Sequence, residues 1–311
     1  MVSDIQTAVI GVGHLGKFHA EKFFQLQNST LAAVADKDFE KAQAVAATTD
    51  CTPVADYREL LGEVDAVSIV VPTGLHFEVA QDFLRHKSHV LVEKPMTDSL
   101  EQAEALIALA HKHDRVLQVG HLERFNPAIA ALEEELGEAR FIECHRLAPY
   151  KPRGTEVNVV LDLMIHDIDI ILDIVKSDVE RIDARGTPVL SEDIDIANAR
   201  IAFKNGCVAN VTASRVSTAT DRKMRIFQND AYLSVDFQNR ELAIYRKGKQ
   251  EMYPGVPNID VQKIRCDEYD ALLAEVQSFL DCIANGGQPK VSGQDGKRAL
   301  QTAISISEQL N

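Results

Sequence analysis

The chain has 311 residues, 47 of them acidic and 33 basic, for a formal charge of −14 in a 45% apolar background. That length lies above the ~250 to 300 residues at which a single core stops growing, so two domains are expected. The charge is even, with 17 acids against 10 bases in residues 1–121 and 30 against 23 beyond, −7 in each part. A nucleic-acid binder needs a basic footprint, which this balance excludes. Apolar runs such as 67–71 are strand-length and fall short of the ~20 residues of a membrane span. No basic region precedes the first apolar stretch, so a cytoplasmic protein without a membrane partner is expected. Cys51, Cys144, Cys207, Cys266 and Cys282 are scattered without a C-x-x-C pair, which fits reduced thiols and predicts no metal site.

Residues 1–121 alternate short β-rich apolar runs with segments of helical period. Strands are predicted at 6–11, 31–36, 53–55, 66–71, 89–92 and 116–119. Helices are predicted at 15–27, 39–47, 77–86 and 100–113, the last capped by Asp98-Ser99. Strict alternation predicts a parallel, doubly wound α/β sheet. Beyond residue 121 the rhythm changes. A helix at 127–136, a strand at 140–147 and a polar loop at 148–158 lead to a second helix at 161–175. Strands are then predicted at 179–186, 197–204, 207–214, 224–228, 232–237 and 242–246, with Asn205-Gly206 and Asn229-Asp230 as hairpin turns. Successive hairpins predict a large, mostly antiparallel sheet in an α+β second domain spanning 122–311. Two helices, 269–284 and 296–310, close the chain around the stop Asn285-Gly286-Gly287, and the terminal helix is a candidate to pack back on the first domain.

Gly11-Val12-Gly13-His14-Leu15-Gly16 follows the first strand and opens the first helix. Glycines suit a tight turn, a close backbone approach to a pyrophosphate and close helix–strand packing, with free N–H groups left for the phosphates. Asp36 ends the second strand, where an acid accepts hydrogen bonds from the adenosine ribose and repels a 2′-phosphate. NAD is therefore expected over NADP, although Lys37 beside Asp36 is a cation that a phosphate could use.

Glu93-Lys94-Pro95 places an acid and a base at the carboxyl end of a buried strand, where ligands of open α/β sheets bind. A lysine there can hydrogen-bond a substrate oxygen and help move its proton; the plainer alternative is a strand-end salt bridge. Pro95 also invites a cis bond, although trans is the default expectation. In the apolar helix at 161–175, Asp162 and His166 are four apart and share a face, pairing a carboxylate with an imidazole suited to proton transfer near neutral pH. Asp167 and Asp169 look in other directions.

The collinear set G-x-G-x-x-G-x-x-H (Gly11 to His19), Val71-Pro72-Thr73-x-x-His76, Glu93-Lys94-Pro95, Gly120-His121-x-x-Arg124-Phe125-Asn126-Pro127 and Asp162-x-x-x-His166 resembles the Gfo/Idh/MocA family of sugar and inositol dehydrogenases. The resemblance implies a Rossmann domain followed by an open antiparallel sheet whose exposed face forms homodimer or homotetramer contacts. It also implies that Lys94, Asp162 and His166 carry catalysis, with Thr73, His76 and Glu93 near the cofactor beside Val71, Pro72 and His121. The implied reaction is oxidation of a secondary alcohol: His166 takes the hydroxyl proton, Asp162 orients that histidine, Lys94 binds the oxygen, and hydride passes to the nicotinamide.

The stretch Gly154-Thr155-Glu156-Val157-Asn158 departs from the glycine-rich sequence of many relatives, which bears on the substrate. The wording around Arg124 and Asn126, and from Asn158 to Asp167, is similar to family members that oxidise the 3-hydroxyl of UDP-N-acetylglucosamine-type sugars. Tyr150-Lys151-Pro152-Arg153 is basic in an acidic protein, so Arg124, Asn126, Tyr150 and Arg153, with His166, are expected to face an anionic nucleotide-sugar substrate. The alternatives are a free-sugar or inositol dehydrogenase and a non-catalytic dinucleotide sensor.

Overall fold

A computed structural model describes residues 4–150, 157–267 and 269–310. The chain forms two compact units: residues up to Leu122 together with Asp270–Lys297, and Glu123–Tyr269 together with the chain from Arg298 onward.

In the first unit β1 (Ile5–Ile10), β2 (Ser29–Ala35), β3 (Thr52–Val54), β4 (Ala66–Ile69), β5 (His89–Glu93) and β6 (Leu117–Gly120) form one parallel sheet in the order β3-β2-β1-β4-β5-β6. Helices α1 (Gly16–Gln25), α2 (Phe39–Thr49), α3 (His76–Arg85) and α4 (Leu100–His113) connect them. The central strands are apolar almost throughout because both faces of such a sheet are covered. The predicted cap of α4 is made by Ser99, whose Oγ accepts from the Gln102 amide at 3.3 Å.

The second unit opens with α5 (Pro127–Glu135), capped by Asn126, followed by β7 (Phe141–Leu147). One turn of π-helix, Val160–Met164, runs into α6 (Ile165–Val175). Then come β8 (Val179–Thr187), β9 (Ile196–Phe203), β10 (Val208–Ser214), β11 (Asp221–Phe227), β12 (Ala231–Asp236), β13 (Glu241–Tyr253) and β14 (Val256–Arg265). They form an eight-stranded sheet, β14-β13-β12-β11-β7-β10-β9-β8, antiparallel except where β10 pairs with β7. One face buries Ile142, Val211, Ile226 and Leu233 against α6 residues Ile168 and Ile171. The other face carries the alternate side chains. Strand β14 and the outer half of β13 were not expected from the sequence. Residues 249–263 are mostly exposed, so they lack the apolar alternation that marks a half-buried strand.

Helices α7 (Ala271–Asn285) and α8 (Gly293–Ser307) end the chain. The division expected at residue 121 left α7 in the second domain. It belongs instead to the first unit, because Val276, Phe279 and Leu280 complete the core formed by Val9, Phe23 and Leu91.

Asp195 anchors the loop between β8 and β9. Its buried carboxylate accepts from the Val189, Leu190 and Ser191 amides at 2.6 to 2.9 Å, from Ser191 Oγ at 2.7 Å and from Arg215 Nε at 2.8 Å. Arg215 in turn donates to the Val157 carbonyl at 2.8 Å, so the same contact holds the approach to the π turn. These donors, against the cost of burial, keep the Asp195 carboxyl far below the ordinary range. Asp195→Ala removes the buried carboxylate that Arg215 Nε and three backbone amides donate to, and thermal unfolding should show a loss of about 3–5 kcal/mol.

Candidate active site

The phosphate turn is set by backbone packing. Gly11 has φ +86°, and a Cβ there would lie 2.8 Å from the Val70 carbonyl; one on Gly16 would lie 1.8 Å from the Gly11 carbonyl. Both positions exclude a side chain for reasons internal to the fold. Gly13 is different, since a Cβ there meets nothing within 4 Å. It keeps the approach to the turn open. Asp36 braces the turn from the end of β2: Oδ2 accepts from the Val12 amide at 3.0 Å and Oδ1 from the Asp38 amide at 2.9 Å.

A cavity of about 640 Å³ opens along this edge, lined by Gly11, Gly13, Asp36, Lys37, Val71 and Pro72 among others. A cradle that a Cβ on Gly13 would fill, with a carboxylate at its far side, fits a dinucleotide whose pyrophosphate sits on the turn and whose ribose meets Asp36. His14 and Leu15 are exposed at the start of α1, while Val12 and Gly16 are buried under it. Sequence reasoning missed the outer wall of the cavity, Tyr57, Arg58 and Glu78. There the Tyr57 hydroxyl donates to Asp82 at 3.0 Å and Arg58 lies over the Tyr57 ring at 5.0 Å. Tyr57 and Arg58 follow a three-residue strand, Glu78 lies in α3, and none of them carries a motif.

The Glu-Lys-Pro turn ends β5 in the same unit. Glu93 Oε1 meets His19 Nε2 at 3.2 Å, and His19 Nδ1 meets Ser68 Oγ at 2.8 Å. Glu93 Oε2 accepts from the Lys94 amide at 3.3 Å. The acid is therefore braced by the histidine of the first motif. A Cβ on Gly120 would come within 3.0 Å of the Glu93 carboxyl, so a glycine on β6 leaves that carboxyl its room. The Lys94–Pro95 peptide is cis rather than trans, a state that the tertiary amide of proline makes accessible. Buried His76 bridges the two loops, with Nδ1 2.9 Å from the Pro95 carbonyl and Nε2 2.9 Å from the Val71 carbonyl. Burial pushes its pKa below the ordinary value, and a neutral ring donates to only one of those carbonyls. Thr73 opens the short helical turn leading to His76, and His121 is buried just beyond β6.

In the second unit Asp162 lies in the π turn and His166 in the first turn of α6, both half-buried. Asn158 starts the turn, its Oδ1 accepting from the Val160 and Leu161 amides at 3.1 and 3.2 Å. The same helix is clamped by charge. Asp167 takes a bidentate pair from buried Arg146 at 2.9 and 2.7 Å, and Arg146 also reaches Glu123 at 3.0 Å. Arg124 was expected to face the substrate. Only 5% exposed, it is paired with Asp169 at 3.4 Å and Asp173 at 2.8 Å, so two carboxylates already hold the cation assigned to the substrate. Asn126 is likewise engaged in structure: its Oδ1 caps α5 through the Ala128 amide at 3.1 Å, and its Nδ2 donates to the Phe237 carbonyl at 3.1 Å. Tyr150 is exposed. Lys151 and Arg153 lie outside the described residues.

All five cysteines are free thiols. Among the described residues no helix is long and apolar enough to cross a membrane, and no group of histidines, cysteines and carboxylates could hold a metal ion.

A parallel sheet in this strand order, with its glycine turn and Asp36 facing one cavity and a Glu-Lys-Pro turn at a strand end, defines an NAD-binding oxidoreductase of the Rossmann class. The chain belongs to the Gfo/Idh/MocA family: residues 5–121 match its NAD-binding Rossmann fold and residues 130–234 its C-terminal domain. It is 42% identical to the UDP-N-acetylglucosamine 3-dehydrogenase of Acidithiobacillus ferrooxidans over 303 residues, 97% of this chain and 96% of that protein. A solved structure of that enzyme matches with a TM-score of 0.94 at 41% identity, covering 98% of this chain and 97% of the other. The scyllo-inositol 2-dehydrogenase (NAD(+)) of Bacillus subtilis is 25% identical over 327 residues, 99% of this chain and 94% of that protein.

The open space at Gly13 yields a test that separates fold from binding. Gly13→Ala should leave the melting temperature within about a degree, since its Cβ meets no atom. It should weaken NAD binding at least about tenfold by fluorescence titration.

Proposed function

We propose that this oxidoreductase takes hydride from C3 of a UDP-N-acetylglucosamine-type nucleotide sugar and gives it to NAD. The observation that carries the reading is the 42% identity across 97% of the chain to an enzyme named for that reaction. The bound nicotinamide supplies the hydride acceptor. His166 accepts the hydroxyl proton, and Asp162, four residues earlier, orients the ring. Lys94 donates to the same oxygen and stabilises negative charge developing there. Asp167 and Asp169 are occupied by Arg146 and Arg124, so they fix the helix and leave the proton chemistry to His166.

NADH formation at the expense of UDP-N-acetylglucosamine, measured at 340 nm, tests the substrate directly; turnover of inositols or free sugars alone would favour the second reading, which the Bacillus relative supports. His166→Ala and Lys94→Ala should each lower kcat by roughly 10²- to 10⁴-fold while NAD affinity changes little.

We further propose that the outer face of the eight-stranded sheet joins copies of this chain. An aromatic ladder supports this: Phe141, Phe227, Tyr232 and Tyr245 lie on successive strands of that face, with ring centroids 5.9, 4.8 and 4.8 Å apart. Such a row of half-buried rings on an otherwise polar face suits a self-complementary contact. Tyr232→Asp should shift the protein to a smaller species in sedimentation velocity; an unchanged sedimentation coefficient would overturn the assignment.

A further inference from the structure

One hydroxyl stands in an otherwise apolar strand. Ser68 on β4 is 0% exposed, as are Ala66, Val67 and Ile69 around it. A buried hydroxyl left without a partner is destabilising. Here the partner comes from α1, where His19, only 2% exposed, sets its Nδ1 2.8 Å from Ser68 Oγ. The Ser68 side chain has no second hydrogen bond among the described residues.

The register of the sheet carries this contact to the Lys94 turn. Ser68 lies beside Val9 on β1 and Leu91 on β5, so Glu93, two residues beyond Leu91, projects from the same face. Helix α1 crosses that face, packing Ala20 and Phe23 with Val9 and Leu91. Three contacts in series then join the strand interior to the turn. Ser68 meets His19, His19 Nε2 meets Glu93 Oε1 at 3.2 Å, and Glu93 Oε2 accepts from the Lys94 amide at 3.3 Å.

The donors and acceptors along this series fit one arrangement. Burial opposes charge on Glu93, but the hydrogen bond from His19 and the neighbouring basic groups hold its carboxyl below the ordinary value, so Glu93 accepts. His19 Nε2 must then carry a hydrogen. With Nδ1 bare, the ring accepts the Ser68 proton and every group is matched. With a hydrogen on Nδ1 as well, the ring would donate to Ser68 and leave the serine proton without an acceptor.

We propose that Ser68 is a positioning residue for the Lys94 turn: its hydroxyl holds His19 in the Nε2–H tautomer, so that the ring always offers Glu93 a donor and Glu93 in turn holds the Lys94 amide. The catalytic consequence rests on the role proposed above for Lys94, whereas the tautomer is read without any substrate.

Nuclear magnetic resonance of the full chain, isotope-labelled at the histidine ring nitrogens, reads it directly. Long-range nitrogen–proton correlations should show His19, identified by the signals that vanish in His19→Gln, as the Nε2–H form. The Nδ1–H form, or hydrogen on both nitrogens, overturns the proposal. Ser68→Ala removes the hydroxyl among apolar neighbours and should fold. Without the donor, His19 should give a mixture of forms, and retention of the pure Nε2–H form in S68A also overturns the proposal. In turnover, kcat of S68A should fall on the order of tenfold with NAD affinity unchanged, and Ser68→Thr, which restores the hydroxyl, should recover most of that loss. The positioning role is overturned by a kcat for S68A equal to that of wild type. It is overturned equally by a kcat for S68T no better than that of S68A while its His19 keeps the Nε2–H form. If no UDP-sugar is turned over, the substrate reading fails while the spectra still decide the tautomer of His19.

Discussion

The close approach of α1 to β1 underlies most of the first unit. With Gly16 against the Gly11 carbonyl, the helix starts nearer the sheet than any side chain would allow. One result is the open turn that receives a pyrophosphate. A second is less obvious: three residues into the helix, His19 is brought close enough to reach Ser68 on β4 and Glu93 on β5. The contact that admits the cofactor thus also braces the acid beside Lys94. A bulkier residue at Gly16 would disturb both ends of the site together.

The second unit solves its positioning problem with buried charge. Arg146 and Arg124 hold Asp167, Asp169 and Asp173 along α6, with Glu123 shared between Arg146 and Arg222. Buried pairs of this kind cost desolvation that their attraction only about offsets, so net stability is a poor explanation for them. What they provide is direction. An apolar helix could rotate or slide on the sheet with little change in burial, whereas bidentate Arg146–Asp167 bonds fix both its rotation and its register. Asp162 and His166 are then carried on a helix whose phase is locked, just beyond a π turn that alters the spacing at its start.

Much of this was legible in the sequence because the relevant signals are local. The glycine turn, the Ser99 cap, the Asn205-Gly206 hairpin and the alternation of β7 through β12 each depend on neighbouring residues. The misses were of another kind. Strand β14 lies at a sheet edge with most of its residues exposed, so backbone pairing alone defines it, although Pro254-Gly255 marked the turn before it. The pairing of Arg124 was not legible because a cation after a Rossmann strand looks free until Asp169 and Asp173, 45 and 49 positions on, fold against it. Ser68 carried a signal that went unused: one hydroxyl in the otherwise apolar run of β4.

The same lesson changes the meaning of the net charge. A total of −14 suggested that the few cations near the motifs were held for an anionic ligand. One of them, Arg124, is already matched to a buried carboxylate, as are Arg146 and Arg215 elsewhere, and Lys41 is paired with Asp38. Excess acid in this protein is partly a scaffold for its own arginines. Selectivity for a charged ligand therefore depends on the partner each cation already has, and in the cofactor cavity the group that discriminates is an anion, Asp36. Its oxygens are fixed by two backbone amides, so it cannot swing away from an incoming 2′-phosphate at little cost. That rigidity gives the preference for NAD a structural basis independent of any count of charges.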